Sequence, residues 1–281
     1  MKLGEIEIRH LHAGTFRLDG GAMFGIVPKP IWSRNLNADP LNRILLGMNP
    51  LLIDTGESLI LVDCGIGDKL GEKEQGIYAI DWKSPLAESG VSPEAIDLVI
   101  LTHLHFDHCG GLTRRGEGSD LRLAYPNATH IVQKREWEDA LNPNERTKAS
   151  YLGENFIPVL EKGKLHLIEG DAEIGAGVRV INTGGHTRGH QVVLIESKGE
   201  KALYFGDLVP TSYHLPLPYI MGYDLYPEET LEQRKILYKK ATQEDWLVFF
   251  EHNPRPTSGH LTEEEGKVKL RRIGGEEKPV D

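Results

Sequence analysis

Residues 102–108 constrain this chain more than any other segment, because they place three histidines and an aspartate within six positions. The segment reads THLHFDH and directly follows the apolar run LVIL at 98–101. Imidazole and carboxylate groups crowded this closely repel one another or stay unsatisfied unless a cation lies among them. His103 and His105 are two positions apart, so an extended backbone directs both side chains the same way, whereas a helical zinc pair is four positions apart. The segment predicts a metal site reached by an extended strand, with Phe106 facing away from it.

Other candidate ligands follow three later apolar runs, since one loop cannot supply every ligand for two metal ions. The glycine-rich segment GGHTRGH contains His186 and His190, the run ALYFG is followed by Asp207, and the run WLVFFE is followed by His252. Each polar residue stands where a buried strand is predicted to end, which is where α/β proteins place functional side chains. We therefore expect these strand ends to meet at one edge of the fold.

Strand and helix patterns alternate along the rest of the chain. A hairpin is predicted at 50–65, and Ser92 caps a short helical turn before a buried strand at 97–101. The segment THIVQKREWEDAL predicts a strand followed by a helix. Further elements are predicted in the second half, namely strands at Leu165–Ile168, 178–181, 191–196, 202–205 and 246–250 and a helix at 228–241. This alternation of strands and helices predicts two sheets packed face to face, with helices outside and the polar clusters along one edge.

The balance of charges argues against a nucleic-acid partner or an anionic membrane partner. The formal net charge is −10 at pH 7, whereas both partners require positive charge on the protein. No apolar run approaches the roughly 20 residues that span a bilayer, and the first residues lack the apolar core of a signal peptide. Two cysteines, Cys64 and Cys109, fit a reducing compartment. We expect a cytoplasmic protein in which Cys109 is a small buried residue.

The motifs THLHFDH, GGHTRGH, FGD and EH, in this order and across most of the chain, resemble those of the metallo-beta-lactamase-fold hydrolase superfamily. The strand LILVDCG at 59–65 is similar to the first motif of that superfamily. The resemblance implies an α+β fold, the αββα four-layer sandwich of two mixed sheets flanked by helices, formed as a single domain over 1–281. It also implies two divalent metal ions. Zinc is the default for nitrogen and oxygen ligands, and manganese, iron or cobalt suit the same donors.

The resemblance also assigns roles to individual residues. One metal takes His103, His105 and His186. The other takes Asp107, His108 and His252. Asp207 bridges both metals. Asp63 and His190 are expected to lie behind the ligands and to orient them through hydrogen bonds. Two ions sharing Asp207 lower the pKa of a bridging water, which as hydroxide attacks an electrophilic carbonyl or phosphorus. Asp107 is the expected catalytic residue, because it can return a proton to the leaving group.

Two segments resemble the quorum-quenching lactonase and organophosphate-hydrolase branch of the superfamily, GHTRGHQ at 185–191 and DGGAMFGIVPKPIW at 19–32. This resemblance implies a small-molecule hydrolase of lactones or related carboxylic esters, promiscuous toward organophosphates, and relatives in this branch are commonly homodimers. Four residues from the loop at 19–32 and the segment after 207 are expected to line an apolar vestibule and contact substrate: Phe24, Trp32, Tyr213 and His214. The alternative is that such residues pack as core or at a dimer contact.

One position departs from the lactonase pattern, and two other functions stay open. Lactonases of this branch commonly carry a tyrosine three residues after the bridging aspartate, where this chain has Pro210; Tyr213 is a candidate substitute. A phosphodiesterase acting on nucleotides or RNA would share the ligands but would need a basic groove. A non-catalytic, metal-stabilised binding protein would show a tight metal complex and an occluded site.

Overall fold

Two seven-stranded mixed sheets form the centre of the computed structural model, which describes residues 1–34, 36–116 and 120–273. With strands numbered in chain order, the first sheet contains, from edge to edge, β1 (Lys2–Leu3), β2 (Ile6–His10), β5 (Leu51–Asp54), β6 (Leu59–Val62), β8 (Leu98–Ile100), β11 (Thr129–Gln133) and β12 (Leu165–Ile168). The pairs from β6 to β12 are parallel and the others are antiparallel. The predicted hairpin at 50–65 is confirmed, since Leu51 lies opposite Val62.

The second sheet is formed by the C-terminal part of the chain in sequential order. It contains β13 (Ala172–Gly175), β14 (Val178–Asn182), β15 (Gln191–Ser197), β16 (Glu200–Tyr204), β17 (Leu247–Phe250), β18 (Thr257–Glu264) and β19 (Lys267–Arg272). β16 and β17 are parallel because a long helix connects them, and the other neighbours pair in antiparallel fashion.

Helices and two smaller sheets cover the large sheets. The α-helices are α1 (Gly20–Phe24), α2 (Lys29–Trp32), α3 (Glu72–Tyr78), α4 (Phe106–Cys109), α5 (Lys134–Leu141), α6 (Gly153–Glu161) and α7 (Pro227–Gln243). Short 3₁₀ turns lie at Pro93–Ala95, Gly110–Leu112, Gly206–Leu208 and Ser212–His214. In the smaller sheets, β3 (Gly14–Asp19) pairs with β4 (Arg43–Gly47) and β7 (Asp81–Trp82), and β9 (Thr113–Arg115) pairs with β10 (Leu121–Leu123).

Alternate residues of the two large sheets face each other and form the central core. Ile8 and Ile60 of the first sheet and Val193 and Phe249 of the second are completely buried in this layer. Burial of each such side chain stabilises the fold by about 1.5–3 kcal/mol. Because successive residues of a strand point to opposite faces, the intervening residues face outward and need a second cover.

Helices provide that cover on both outer faces. Trp137 of α5 and Phe156 of α6 pack on the first sheet, and Leu237 of α7 packs on the second. The layers therefore run helix, sheet, sheet, helix, which confirms the predicted αββα sandwich. Cys109 is fully buried, as expected, and its thiol donates to the carbonyl oxygen of Leu104 over 3.2 Å.

The candidate ligands lie just beyond the ends of strands from both sheets. His103 follows β8, and His186 lies in the turn between β14 and β15. Asp207 follows β16, and His252 follows β17. The fold brings these strand ends to one edge of the sandwich, as the sequence predicted.

One local prediction was wrong. The segment 19–32 contains α1 and α2 rather than a loop, because the side chain of Asp19 accepts a hydrogen bond from the backbone nitrogen of Ala22 and so caps α1. The predicted strand at Leu165–Ile168 is present as β12, and it pairs with β11 in the first sheet. α3, α6 and β13 were not predicted at all.

Candidate metal centre

The seven predicted ligands converge at the edge of the sandwich in overlapping groups. The ligand atoms of His103, His105 and His186, here called the first trio, lie within 4.8 Å of one another. The same holds for Asp107, His108 and His252, here called the second trio. A third group of His103, His108 and Asp207 links the two trios. Their roles as ligands remain a prediction, but the geometry is the one that two neighbouring metal ions require.

Asp207 stands between the trios and directs one carboxylate oxygen to each. Its Oδ2 is 3.2 Å from Nε2 of His186 in the first trio. Its Oδ1 is 3.0 Å from Nε2 of His252 and 3.5 Å from Nε2 of His108 in the second trio. A carboxylate in this position can share its two oxygens between two cations, which is the bridging arrangement that the sequence predicted.

The backbone of the 102–108 segment explains how one loop serves both trios. Residues 102–105 contain no regular helix or strand, and α4 begins at Phe106. His103 and His105 therefore reach the first trio from an extended backbone, while Asp107 and His108 reach the second from a helical turn. The expectation that Phe106 faces away was wrong, because the turn into α4 places its ring in the wall of a cavity.

The histidine rings are held from behind by fixed acceptors. Three Nδ1 atoms lie against such acceptors: His186 with Oδ1 of Asp224 and His108 with Oδ2 of Asp63, both at 2.9 Å, and His252 with the carbonyl oxygen of Gly47 at 2.8 Å. A carboxylate or a carbonyl can only accept, so each Nδ1 carries the proton, and in the neutral ring the lone pair lies on Nε2. Such partners fix ring orientation in metal sites.

The inward-facing nitrogens and oxygens fit a pair of bound cations. The Nε2 atoms of His108 and His252 are 3.1 Å apart, and Nδ1 of His105 is 3.1 Å from Nε2 of His186. Among the described residues, Nε2 of His103 and Oδ1 of Asp207 are buried without a hydrogen-bond partner. Lone pairs that face each other in a buried site repel unless a cation lies between them. The donor set of imidazoles and carboxylates is the one that zinc and related ions prefer.

The electrostatics of these side chains show the same complementarity. Burial and the neighbouring imidazoles hold the pKa of His103 well below its ordinary value. Burial also lowers the pKa of His252, but the carboxylate of Asp207 outweighs it and raises this pKa to about 9. For Asp207, burial raises the pKa, and His252 and His108 more than offset this and hold it well below the ordinary range. Negative charge on Asp207 and positive charge beside it therefore stabilise each other, which favours a bound cation at this position.

Asp63 and His190 make the kind of contacts predicted for them. Besides His108, Asp63 accepts hydrogen bonds from the backbone nitrogen and the hydroxyl of Thr102, at 2.8 and 2.7 Å. His190 belongs to neither trio. Its Nε2 accepts a hydrogen bond from the backbone nitrogen of Asp207 over 3.1 Å, and its Nδ1 lies 2.7 Å from the hydroxyl oxygen of Thr183. Both residues are fully buried and contact ligand-bearing segments.

Two buried carboxylates with a role behind the site were missed in the sequence. Asp224 holds the first-trio residue His186 and also accepts from the hydroxyl of Thr230 over 2.7 Å. Glu136 of α5 accepts hydrogen bonds from the backbone nitrogen of Leu104, the phenol of Tyr151 and the hydroxyl of Thr187. No sequence signal separates Glu136 from its acidic neighbours on α5, because only the packing shows which side is buried.

Gly189 shows how closely α5 approaches the loop of the first trio. A Cβ atom at Gly189 would lie 2.4 Å from the backbone nitrogen of Glu136 and 2.5 Å from its Cβ. Such contacts cannot be accommodated by rotating a flexible side chain, so this position requires glycine. The glycine-rich motif at 184–190 thus allows the helix that carries Glu136 to pack against the ligand loop.

A cavity of about 360 Å³ opens over the candidate metal centre. Five residues of the centre line it, namely His105, Asp107, His186, Asp207 and His252. Much of the remaining lining is apolar or aromatic and comes from Leu18, Met23, Tyr78, Phe106, Met221, Tyr223 and Leu225. Gly222, Arg146 and a short segment around Thr147 complete it. The volume lies in the range of small-molecule sites, roughly 300–1,000 Å³.

The four predicted substrate contacts do not line this cavity. Phe24, Trp32 and His214 are buried and stacked, with ring centroids 5.4 Å apart for Phe24 and Trp32 and 4.4 Å apart for Phe24 and His214. His214 is further engaged by Thr211 through Nδ1 and by the carbonyl of Met23 through Nε2. Tyr213 packs partly buried against the same cluster. The alternative of core packing therefore describes these residues, because α1 and α2 turn the aromatic rings inward.

Comparison with known proteins identifies the class of protein. Residues 45–252 match the model of the metallo-beta-lactamase superfamily, which covers well over half of the chain. The chain belongs to this superfamily. This confirms the superfamily and the αββα fold that the sequence motifs indicated. It also confirms the expectation of a metal-dependent hydrolase.

Particular proteins are similar to this chain in sequence or in structure. The chain is 32% identical over 219 residues to an N-acyl homoserine lactonase of a Bacillus species, a match covering 72% of this chain and 79% of the relative. A probable metal-dependent hydrolase from Staphylococcus aureus superimposes with a TM-score of 0.86 at 34% identity, over 96% of this chain and 99% of that one. The dizinc quorum-quenching lactonase AidC superimposes with a TM-score of 0.81, over 99% and 97% of the two chains; at 23% identity this likeness concerns the fold.

None of the described helices combines the length and the apolar character needed to cross a membrane.

Proposed function

We propose that this protein hydrolyses lactones, N-acyl homoserine lactones above all, and that the two trios, with Asp207 shared between them, would hold two zinc ions. The observation that carries the proposal is the position of Asp207, with one oxygen toward each trio at the base of a largely apolar cavity. When bound, such a metal pair supplies an activated water and an electrophile for the carbonyl oxygen. The Bacillus relative named as an N-acyl homoserine lactonase supports the choice of substrate.

Asp107 is placed to move the proton in this reaction. It lines the cavity, and its Oδ2 lies 3.8 Å from Nε2 of His108 and of His252. In ring opening, water adds to the lactone carbonyl carbon, and the bond from that carbon to the ring oxygen breaks. Asp107 takes the proton lost by the water and returns it to the departing ring oxygen, so that the product is a hydroxy acid.

Tyr78 and Tyr223 replace Tyr213 in the proposal as the phenols that face substrate. Both line the cavity, whereas Tyr213 does not. Burial raises the pKa of both phenols. A nearby carboxylate adds to this effect, Asp107 for Tyr78 and Asp19 for Tyr223. They therefore stay protonated at neutral pH and can donate to an oxygen of the substrate. One of them would do what a tyrosine at Pro210 does in related lactonases.

The first experiment is proton release on adding N-hexanoyl-homoserine lactone to zinc-loaded protein, with a metal-stripped control. We expect rapid release that disappears on stripping and returns with zinc. Bis(p-nitrophenyl) phosphate in parallel tests the phosphodiesterase alternative. Metal analysis of the protein as purified tests the identity of the ions. Two bound metals without lactone hydrolysis would reject the proposed substrate class, and rapid cleavage of the phosphodiester alone would favour the alternative.

We also propose a single domain over 1–281, a cytoplasmic location and a homodimer. Both cysteines are buried and free, which supports a reducing compartment. Ile26 and Leu41 are 88% and 69% exposed, and exposed apolar side chains can contribute to a contact between copies. Light scattering coupled to size-exclusion chromatography tests the dimer, and Ile26→Lys is expected to weaken it. A monomer at micromolar concentration would reject it.

A further inference from the structure

The cavity over the metal centre contains one residue whose charge the proposed reaction leaves unused. Arg146 is the sole lysine or arginine among the described residues of the lining. It is exposed, and no carboxylate in the described part of the chain lies within ion-pair distance of it. An arginine without an ionic partner at the opening of a small-molecule site can be used for recognition, because its guanidinium carries five N–H donors in a fixed plane.

The guanidinium of Arg146 is positioned but not saturated. One of its nitrogens donates to the carbonyl oxygen of Gly222 over 2.7 Å, and Gly222 lines the same cavity. This bond directs the side chain along the opening between residues 146–150 and 221–225. No other hydrogen bond of its guanidinium is found among the described residues, so several donors remain for a ligand.

A purely structural role explains this arrangement less well. The segment around Gly222 is held without Arg146, because the backbone nitrogen of Gly222 donates to the carbonyl oxygen of Ala22 over 2.8 Å. The segment around Arg146 is also held independently, since the side chain of Asn144 accepts from the backbone nitrogens of Arg146 and Thr147. Loss of the guanidinium should therefore leave both segments in place.

We propose that Arg146 binds the amide carbonyl oxygen of an N-acyl lactone while the lactone ring lies at the metal centre. This inference rests on the proposed function. An N-acyl lactone has two kinds of carbonyl, and the mechanism accounts only for the one in the ring. An amide oxygen buried in a largely apolar cavity without a donor weakens binding, so a charged donor at the opening favours substrates that carry an amide.

If Arg146 binds the amide, it should make the protein prefer lactones that carry an amide over lactones that lack one. N-hexanoyl-homoserine lactone carries the amide, whereas α-heptyl-γ-butyrolactone keeps the ring and a chain of the same length without it. Arg146 should therefore distinguish the two, and the apolar walls should not. The test compares kcat/KM for both lactones in the zinc-loaded wild type, in Arg146→Met and in Arg146→Lys. Arg135→Met, an exposed arginine on α5 outside the cavity lining, is the matched control.

We expect Arg146→Met to lower kcat/KM for the amide lactone about tenfold or more, chiefly through KM, and to change the alkyl lactone less than twofold. Arg146→Lys should recover part of the loss, and Arg135→Met should leave both values unchanged. Equal losses on the two lactones would mean that Arg146 only supports the loop, and no loss on either would mean that it does not meet substrate. Both results overturn the inference.

A binding measurement separates this inference from the proposed function. Titration calorimetry with N-hexanoyl-homoserine, the ring-opened acid, measures affinity without turnover. About tenfold weaker binding to Arg146→Met supports the amide contact even if neither lactone is hydrolysed, in which case the proposed function fails alone. Unchanged binding, together with unchanged discrimination between the lactones, rejects the contact while leaving lactone hydrolysis intact.

Discussion

Replacing Glu136 tests whether a buried carboxylate on α5 holds the first trio in place. Its Oε1 accepts from the backbone nitrogen of Leu104 and from the phenol of Tyr151, both over 2.9 Å, and its Oε2 accepts from the hydroxyl of Thr187 over 2.6 Å. Leu104 stands between His103 and His105 in the sequence, and Thr187 follows His186. One side chain therefore contacts the backbone or neighbour of every ligand in the first trio.

The expected loss in the free energy of unfolding follows from the three donors that Glu136→Leu leaves buried and unpaired. Each such donor costs about 1–3 kcal/mol, and because the three share one acceptor their costs do not add fully. We expect the free energy of unfolding to fall by roughly 3–5 kcal/mol, and Tm to fall by roughly 10 °C for a chain of this size. Burial raises the pKa of Glu136, so its negative charge contributes less than its hydrogen bonds. Glu136→Gln, which keeps an acceptor, should therefore lose only about 1 kcal/mol.

The same change should affect the two metal sites unequally. Residues that orient metal ligands typically contribute about 10–100-fold in affinity. Glu136→Leu should weaken one of the two metal-binding steps by this factor and leave the other unchanged, because Asp107, His108 and His252 do not contact Glu136. Competition with a chelator, followed by cobalt absorption, measures both steps, and chemical denaturation measures stability. Glu138→Leu, exposed on the same helix, is the matched control. Equal weakening of both steps, or a stability loss no greater than that of the control, would refute the reasoning.

Three further predictions follow from single contacts. Asp207→Ala should retain at most one metal per chain by elemental analysis, because neither trio keeps a shared carboxylate; two retained metals with full activity would reject the bridge. Tyr223→Phe should lower kcat/KM about tenfold and Tyr213→Phe less than twofold, since Tyr223 lines the cavity and Tyr213 does not, and the reverse order would restore Tyr213 as the donor. Burial lowers the pKa of His10 from 6.5 to about 3, so the unfolded chain takes up this proton first as pH falls. The resulting loss of stability begins near pH 6.5 and continues toward pH 3. Urea unfolding at pH 7 and pH 5 should show a smaller difference for His10→Gln than for the wild type, and an equal difference would contradict the assignment.

Much of the metal centre could be predicted from local sequence because its signal is local. The spacing in THLHFDH and the position of Asp207 and His252 directly after apolar runs place ligand-type residues at strand ends. Where a strand is buried on both faces, functional polar residues commonly lie just beyond its end. The two-sheet arrangement and the convergence of these residues follow from that pattern, and the structure confirms both.

The surroundings of the centre could not be predicted, since they depend on which face of a short segment is covered. Phe24, Trp32 and His214 have the composition of a substrate pocket, but α1 and α2 bury them in a stacked core. Phe106 was expected to point away, and the turn into α4 directs it into the cavity.

Glu136 and Arg146 illustrate what only the tertiary structure decided. In the sequence each is one charged residue among several, on a helix and on a loop. Packing of α5 against Gly189 buries Glu136 behind the first trio, and the bond to Gly222 holds Arg146 at the cavity opening. The sequence by itself determined which residues can bind metal, because ligand chemistry and strand ends are encoded locally. The tertiary structure decided which residues support the ligands and which face a substrate, because those roles depend on contacts between segments far apart in the chain.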